Sequence, residues 1–166
     1  MKLFAVALSV LAAAVAPTAT TGPVQSVTAD SATVTGTVNP GGADTTYHVE
    51  LGTSTGYGLQ TSPQSAGNGT DPVPVTVTAS GLASNTAYHY RLVATNSAGT
   101  AHGADMTFRT ARAPAVASRA ARAIGTSSAI LAASVNPERE QTTVHFEYGT
   151  TRAYGLRTAE TAIGNG

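Results

Sequence analysis

Two histidines, a carboxylate and an arginine are the side chains of this sequence best spaced to act together. His48 and Glu50 stand two residues apart, and His89 and Arg91 repeat that spacing further along. In extended chain, alternate residues point to the same face, so each pair shares one side of its own segment. Neutral imidazole and carboxylate oxygen both ligate zinc, so these groups, if brought together, would suit a shallow metal or sugar site. The stronger reading is a solvated sheet face. Other chemistries lack their parts. The 166 residues contain no cysteine, which removes disulfide frameworks, cysteine-ligated zinc, iron–sulfur clusters and thiol catalysis. Serines and threonines occupy strand and turn positions with no base in a recognisable context, and there is no G-x-S-x-G elbow. The nine acids are scattered, with no evident pair for glycoside hydrolysis. Gly52, Gly56 and Gly58 are turn residues, because no helix follows them to offer an anion-binding N-terminus. No catalytic, cofactor-binding or metal-binding residue is assigned, no cofactor is expected, and the chain is read as non-enzymatic.

Charge narrows the partners. Nine basic residues balance nine acidic ones, whereas nucleic-acid modules usually carry a basic excess, so nucleic acid is not expected as a partner. Arg109, Arg112, Arg119 and Arg122 make a locally basic stretch that could meet an acidic surface polymer, but an ordinary link and first strand is preferred. Ala113-Pro114 within it favours extended chain, as a short semi-rigid link requires. Asn68-Gly69-Thr70 matches a glycosylation sequon, and Asn-Gly is equally a hairpin turn, which is the reading adopted.

The elements that must position these groups begin after an apolar N-terminus. Met1-Lys2 precedes an apolar run from Leu3 to Ala16 broken only by Ser9. The run is shorter than the ~20 residues a membrane-crossing helix needs, so residues 1–16 are read as a secretory signal peptide and no stable membrane span is expected. Ala12, Ala14 and Ala16 offer A-x-A cleavage patterns, and Pro17 makes a cut after Ala16 unfavourable. Beyond it the signal is period-two alternation in short stretches punctuated by glycine, proline and asparagine, as in an all-β sandwich. Ala32, Val34, Gly36 and Val38 alternate with threonines, and Asn39-Pro40-Gly41-Gly42 closes that run as a turn. Tyr47, Val49 and Leu51 form one apolar face, Tyr88, Tyr90, Leu92 and Ala94 another, and Met106 with Phe108 a last. Pro72 and Pro74 place the strand that follows them at a sheet edge.

The alternation recurs at an offset of 97 residues. Ser31–Gly69 aligns without a gap to Ser128–Gly166, with 18 of 39 positions identical. Asn39-Pro40, His48, Glu50, Tyr57-Gly58-Leu59 and Gly67-Asn68-Gly69 match Asn136-Pro137, His145, Glu147, Tyr154-Gly155-Leu156 and Gly164-Asn165-Gly166. Pro17 falls on Pro114, so one unit runs over 17–113 and a second over 114–166, partial and without its last strands. That half unit would leave Val144, Phe146 and Tyr148 uncovered, and is expected to be poorly ordered alone. The chain is accordingly expected to be a fragment, or an early-terminated member, of a longer array.

At Leu82-Ala83-Ser84-Asn85-Thr86-Ala87-Tyr88 the chain resembles the fibronectin type III modules. Leu82 followed six residues later by Tyr88 looks like that family's tyrosine corner, whose hydroxyl bonds backbone upstream and pins the crossover between sheets. Tyr88–Gly103, and Glu147-Tyr148-Gly149-Thr150-Thr151 after Val135-Asn136-Pro137, are similar to the repeats of bacterial secreted and surface proteins. The resemblance implies an immunoglobulin-like antiparallel β-sandwich. It also implies that the strands bearing His48–Glu50 and His89–Arg91 are neighbours, with Glu50 and Arg91 a cross-strand pair contributing roughly 0.2–1 kcal/mol. Two features of the family are missing. Val34 and Leu131 stand where many members carry a core tryptophan, and no Arg-Gly-Asp occurs between Asn96 and Ala101. The function so implied is a secreted or cell-surface module acting as spacer or weak adhesion element, with extracellular or cell-wall polysaccharide or protein as partner. The alternative is an accessory, carbohydrate-associated module of a longer polysaccharide-degrading enzyme.

Overall fold

The computed structural model describes residues 13–166, so residues 1–12, most of the expected signal peptide, lie outside the described residues. Every regular element among the described residues is a β-strand, and no helix there is long and apolar enough to cross a membrane. The chain divides into two compact units. Among the described residues, one comprises 13–26, 33–79 and 88–108, the other 27–32, 80–87 and 109–166.

The strands of the first part are β1 (Thr18–Val27), β2 (Ser31–Asn39), β3 (Thr45–Gly52), β4 (Leu59–Gln60), β5 (Gln64–Gly67), β6 (Val73–Ser80), β7 (Ala87–Asn96), β8 (Gly99–His102) and β9 (Met106–Arg109). One sheet has the order β1-β2-β6, and the other β4-β3-β7-β8, with β5 also on β3 and β9 also on β7. Pro74 lies in β6, an outer strand of its sheet, the kind of position where proline is tolerated. The period-two pattern of the sequence becomes the core: Val34, Val38, Val75 and Val77 face Tyr47, Val49, Leu51, Tyr90 and Leu92, all buried. Each fully buried aliphatic side chain contributes about 1.5–3 kcal/mol of transfer free energy.

Two hydrogen bonds cross from β7 to β1. The Tyr90 hydroxyl donates to the Gly22 carbonyl at 3.0 Å, and the Leu92 N–H donates to Thr21 Oγ1 at 3.1 Å. Gly36 on β2 makes this approach possible: a Cβ there would lie 2.6 Å from the Thr20 carbonyl oxygen and 2.8 Å from Leu92 Cδ2. The predicted turn after β2 is present, with Gly41 and Gly42 at φ of 69° and 81° and the Gly41 N–H bonded to Asn39 Oδ1. Val15, at the end of the expected signal segment, donates its N–H to Gly41 O at 3.0 Å, and its carbonyl accepts from Asn96 Nδ2 at 2.8 Å.

In the second unit, three loops are knitted together around Thr110. Its hydroxyl donates to Ala83 O at 2.6 Å and accepts from the Thr86 N–H at 2.9 Å. The Leu82 N–H reaches Asp30 O at 2.9 Å, and the Ala111 N–H reaches Thr28 O at 3.0 Å. The strands that follow are β10 (Ala115–Arg122), β11 (Ile130–Asn136), β12 (Thr142–Val144), β13 (Glu147–Tyr148), β14 (Leu156–Arg157) and β15 (Thr161–Gly164). They pair as the antiparallel two-stranded sheets β10-β11, β12-β15 and β13-β14. Beyond residue 113, Thr142 alone among the described residues is buried. Arg119 and Arg122 lie on β10, which is exposed along its whole length and pairs with β11.

Local geometry repeats at the 97-residue offset. Glu50↔Gln60 and Leu51↔Leu59 become Glu147↔Arg157 and Tyr148↔Leu156, and the bulge between Thr45 and Thr46 returns between Thr142 and Thr143. Thr61 Oγ1 accepts from the Val49 N–H, and Thr158 Oγ1 from the Phe146 N–H, both at 3.0 Å.

Candidate functional site

The β3–β7 ladder sets where the suspected groups stand. Glu50 lies directly opposite Arg91, Gly52 opposite His89, and His48 opposite Val93. Arg91 Nε donates to Glu50 Oε2 at 2.7 Å, so the two form the expected cross-strand pair. His89 is tied elsewhere, with Nδ1 2.9 Å from Asp105 Oδ2. The two histidines and Glu50 therefore do not converge on one point. Among the described residues no group of three or more His, Asp or Glu side chains is placed to hold a metal ion.

The assembled site is a chain of polar contacts that includes two residues the spacing argument passed over, Tyr57 and Asp105. The Arg91 guanidinium sits 4.5 Å from the centre of the Tyr57 ring, a cation–π contact. The Tyr57 hydroxyl donates to Asp105 Oδ1 at 3.0 Å, and the other Asp105 oxygen meets His89. Glu50, Arg91, Tyr57, Asp105 and His89 thus form one continuous network. The His89 hydrogen bond, more than any other influence, holds the Asp105 carboxyl below the usual aspartate range, and the Tyr57 hydroxyl acts the same way. The Tyr57 hydroxyl is pushed up, first by burial and then by the Asp105 carboxylate that it binds. Both shifts are of the kind expected for hydrogen bonds to a charged form and for desolvation.

Tyr57 reaches this position through a strained turn. Its φ is 54°, followed by Gly58 at 100°, and its backbone packs directly against Gly52, where a side chain would collide with it. A bulky residue in the left-handed region costs of order 1 kcal/mol and persists only where its surroundings over-determine it. Tyr154 and Gly155 repeat the turn at φ of 56° and 103°, so the strain belongs to the shared local fold as much as to the network. A shallow depression of about 340 Å³ lies beside the network, lined by Glu50, Thr55–Gln60 and Arg91.

The predicted corner residues are both buried. Leu82 is held by the loop ladder described above, and the Tyr88 ring stacks on Phe108 with centroids 5.6 Å apart and planes at 18°. Tyr57 carried a sequence signal, since it belongs to the repeated Tyr-Gly-Leu triplet. Asp105, in the loop between β8 and β9, carried none.

No family model matches the chain, and no curated protein matches it. Among solved structures it is similar to the sensor domain of the anti-sigma factor RsgI4 in Pseudobacteroides cellulosolvens. A short form of that domain aligns at 21% identity over 57% of this chain and 93% of that one, with a TM-score of 0.44. The solution structure of the domain aligns at 20% identity over 57% and 74%, with a TM-score of 0.43.

Proposed function

We propose that this chain is a secreted, non-enzymatic β-sandwich module of fibronectin type III kind, serving as a spacer or weak binding element at a bacterial cell surface. The observation that carries this reading is the internal commitment of the charged network. Glu50 is spent on Arg91, and Asp105 on both Tyr57 and His89. A nucleophile or general base needs an activating partner together with a free reactive atom facing substrate, and these groups face one another instead. What the patch offers a partner is a shallow polar depression beside the Arg91–Tyr57 pair. The 97-residue repeat, with units at 17–113 and 114–166, and the Leu82–Tyr88 spacing support the family reading. In that reading the Tyr88 hydroxyl is the corner's donor to the backbone upstream of it.

Retention of the purified protein on insoluble cell-wall polysaccharide tests the proposal. Weak, saturable retention that Arg91→Ala and Tyr57→Ala reduce, with no change in the polymer, is the expected result. Release of soluble sugar by the protein would overturn it. Sequencing of the native polypeptide beyond residue 166 separates the accessory-module alternative, which requires a catalytic domain on the same polypeptide, from the preferred reading, which expects further β repeats or none.

A further inference from the structure

The arginines of this chain are not shared evenly. Residues 13–108 hold one, Arg91, against five acids, whereas residues 109–166 hold seven against four. At the 97-residue offset Arg119, Arg122, Arg152 and Arg157 stand where the first unit has Gly22, Gln25, Thr55 and Gln60, so these charges were not inherited with the repeat. They are not neutralised within the fold either. Arg91 is tied to Glu50, and among the described residues no other arginine has an ion pair.

A bulge in β10 brings two of them together. Residues three apart on a regular strand point to opposite faces. Here the register slips between Arg119, which lies opposite Ala132, and Arg122, which lies opposite Ile130. Ala132 and Ile130 are two residues apart on β11, so both arginines stand on one face, roughly 7 Å from each other along the strand. Re-aiming a side chain is what bulges do. Val116, Ser118, Leu131 and Val135, which alternate with this set, line the cleft on the other face. The arginine face is therefore the outward one, and its exposure does not depend on what covers that cleft. Ile130 on the same face is 59% exposed, where the first unit has the hydroxyl of Thr33. Like charges on neighbouring rows repel, and neither β10 nor β11 carries an acid to relieve them.

We infer that the outward face of β10–β11 is a binding site for an acidic polysaccharide, one whose sugars carry carboxylates. The site is separate from the Arg91–Tyr57 depression and shares with the function proposed above only the extracellular setting. Each guanidinium takes a carboxylate in its planar fork, and the C–H face of a sugar ring lies on Ile130 and Ala132. Single-stranded nucleic acid is a poorer fit, because neither strand carries an aromatic ring on which a base could stack. The acid-rich first unit of a second copy is poorer too. Its Asp30, Asp44 and Asp71 lie in separate loops, and Glu50 and Asp105 are already engaged.

The test uses the full chain and sodium polygalacturonate, with the methyl-esterified polymer as the uncharged control. The proposal expects saturable binding to the acid form alone, weakening as salt is added, with slower amide exchange across residues 115–122 and 130–136. Arg119→Gln combined with Arg122→Gln weakens binding about tenfold, since two charge-assisted contacts are lost. Arg152→Thr combined with Arg157→Gln removes the same charge outside that sheet and leaves the affinity within about twofold. Unchanged far-ultraviolet circular dichroism checks that both variants keep their strands. Equal losses in the two variants overturn the proposal, because the attraction is then diffuse. Absence of binding, equal binding of the methyl ester, or tighter binding of a single-stranded oligonucleotide also overturns it. So does self-association that the Arg119 and Arg122 substitutions abolish and the polymer does not displace, because the face then belongs to a second copy. Neither variant alters Arg91 or Tyr57, so this inference and the function proposed above fail separately.

Discussion

Asp105 is the point at which the charged network responds to acid. Its carboxyl titrates lower in the folded chain than the ~3.9 of an unperturbed aspartate, mainly because His89 binds the ionised form. The linkage has one sign: the contribution is fully present above the unfolded value and is lost as the pH falls through the folded one. Denaturant titrations at stepwise lower pH should show stability declining below about pH 4 more steeply in the native sequence than in Asp105→Asn. The groups are partly exposed, so the difference will be small and will shrink with added salt. Arg91 was legible in the sequence because it alternates with Tyr90 and Leu92 and faces a glutamate across a ladder. Asp105 was not, because it sits in a loop, and its link to His89 depends on a chain path that carries no periodic signal. Tyr57 was visible only as a repeated letter, since nothing in its spacing told that its turn would fold back over Arg91.

Elements with clean alternation were the readable ones. Strands β2, β3, β7 and the edge placement of β6 follow from side chains two residues apart and from two prolines, and the all-β antiparallel class follows with them. Strand β1 was hidden, because Gly22-Pro23 interrupts its pattern and four of its ten residues are threonine or serine. The strands β4, β5 and β8 run only two to four residues, too short for a period to register. Gly36 was read as one more small residue in β2, and only the structure gives it a role, as the gap through which β1 and β7 approach. Replacing it by alanine should lower stability by about 1–3 kcal/mol in thermal or denaturant unfolding, since the added methyl meets a backbone oxygen that cannot move aside. The N-terminal boundary has its own expectation. Val15 is bonded to Gly41 and Asn96, so cleavage after Ala16 would break both contacts, whereas the A-x-A pattern ending at Ala14 keeps them. If the signal-peptide reading holds, N-terminal sequencing of the native protein should find its first residue at or before Val15.

At the scale of the molecule, the two units differ in how well they enclose what they carry. The first buries a two-sheet core. The second leaves Val116, Ile130, Tyr148 and Leu156 exposed on small two-stranded sheets, which are marginal in water by themselves. Amide exchange should therefore be slow across residues 47–51 and 90–94 and fast across 130–148 when the chain is alone. Strong protection of 130–148 in a monomer would contradict that expectation.

The bonds from β7 to β1 carry a mechanical consequence. Under the proposed spacer role the module would be stretched by its ends, and a pull on Thr18 and Phe108 would load the bonds between β1 and β7. The Tyr90–Gly22 and Leu92–Thr21 bonds span 68 and 71 residues of sequence, so their rupture would release long slack at once. Under such a pull they would have to break before β1 could leave β7. In single-molecule stretching, Tyr90→Phe should lower the peak force of the first unit while leaving its released length unchanged. A module held in this way would yield in one abrupt step, holding its spacing under modest load and surrendering it only when the tension exceeds what two crossing bonds can bear.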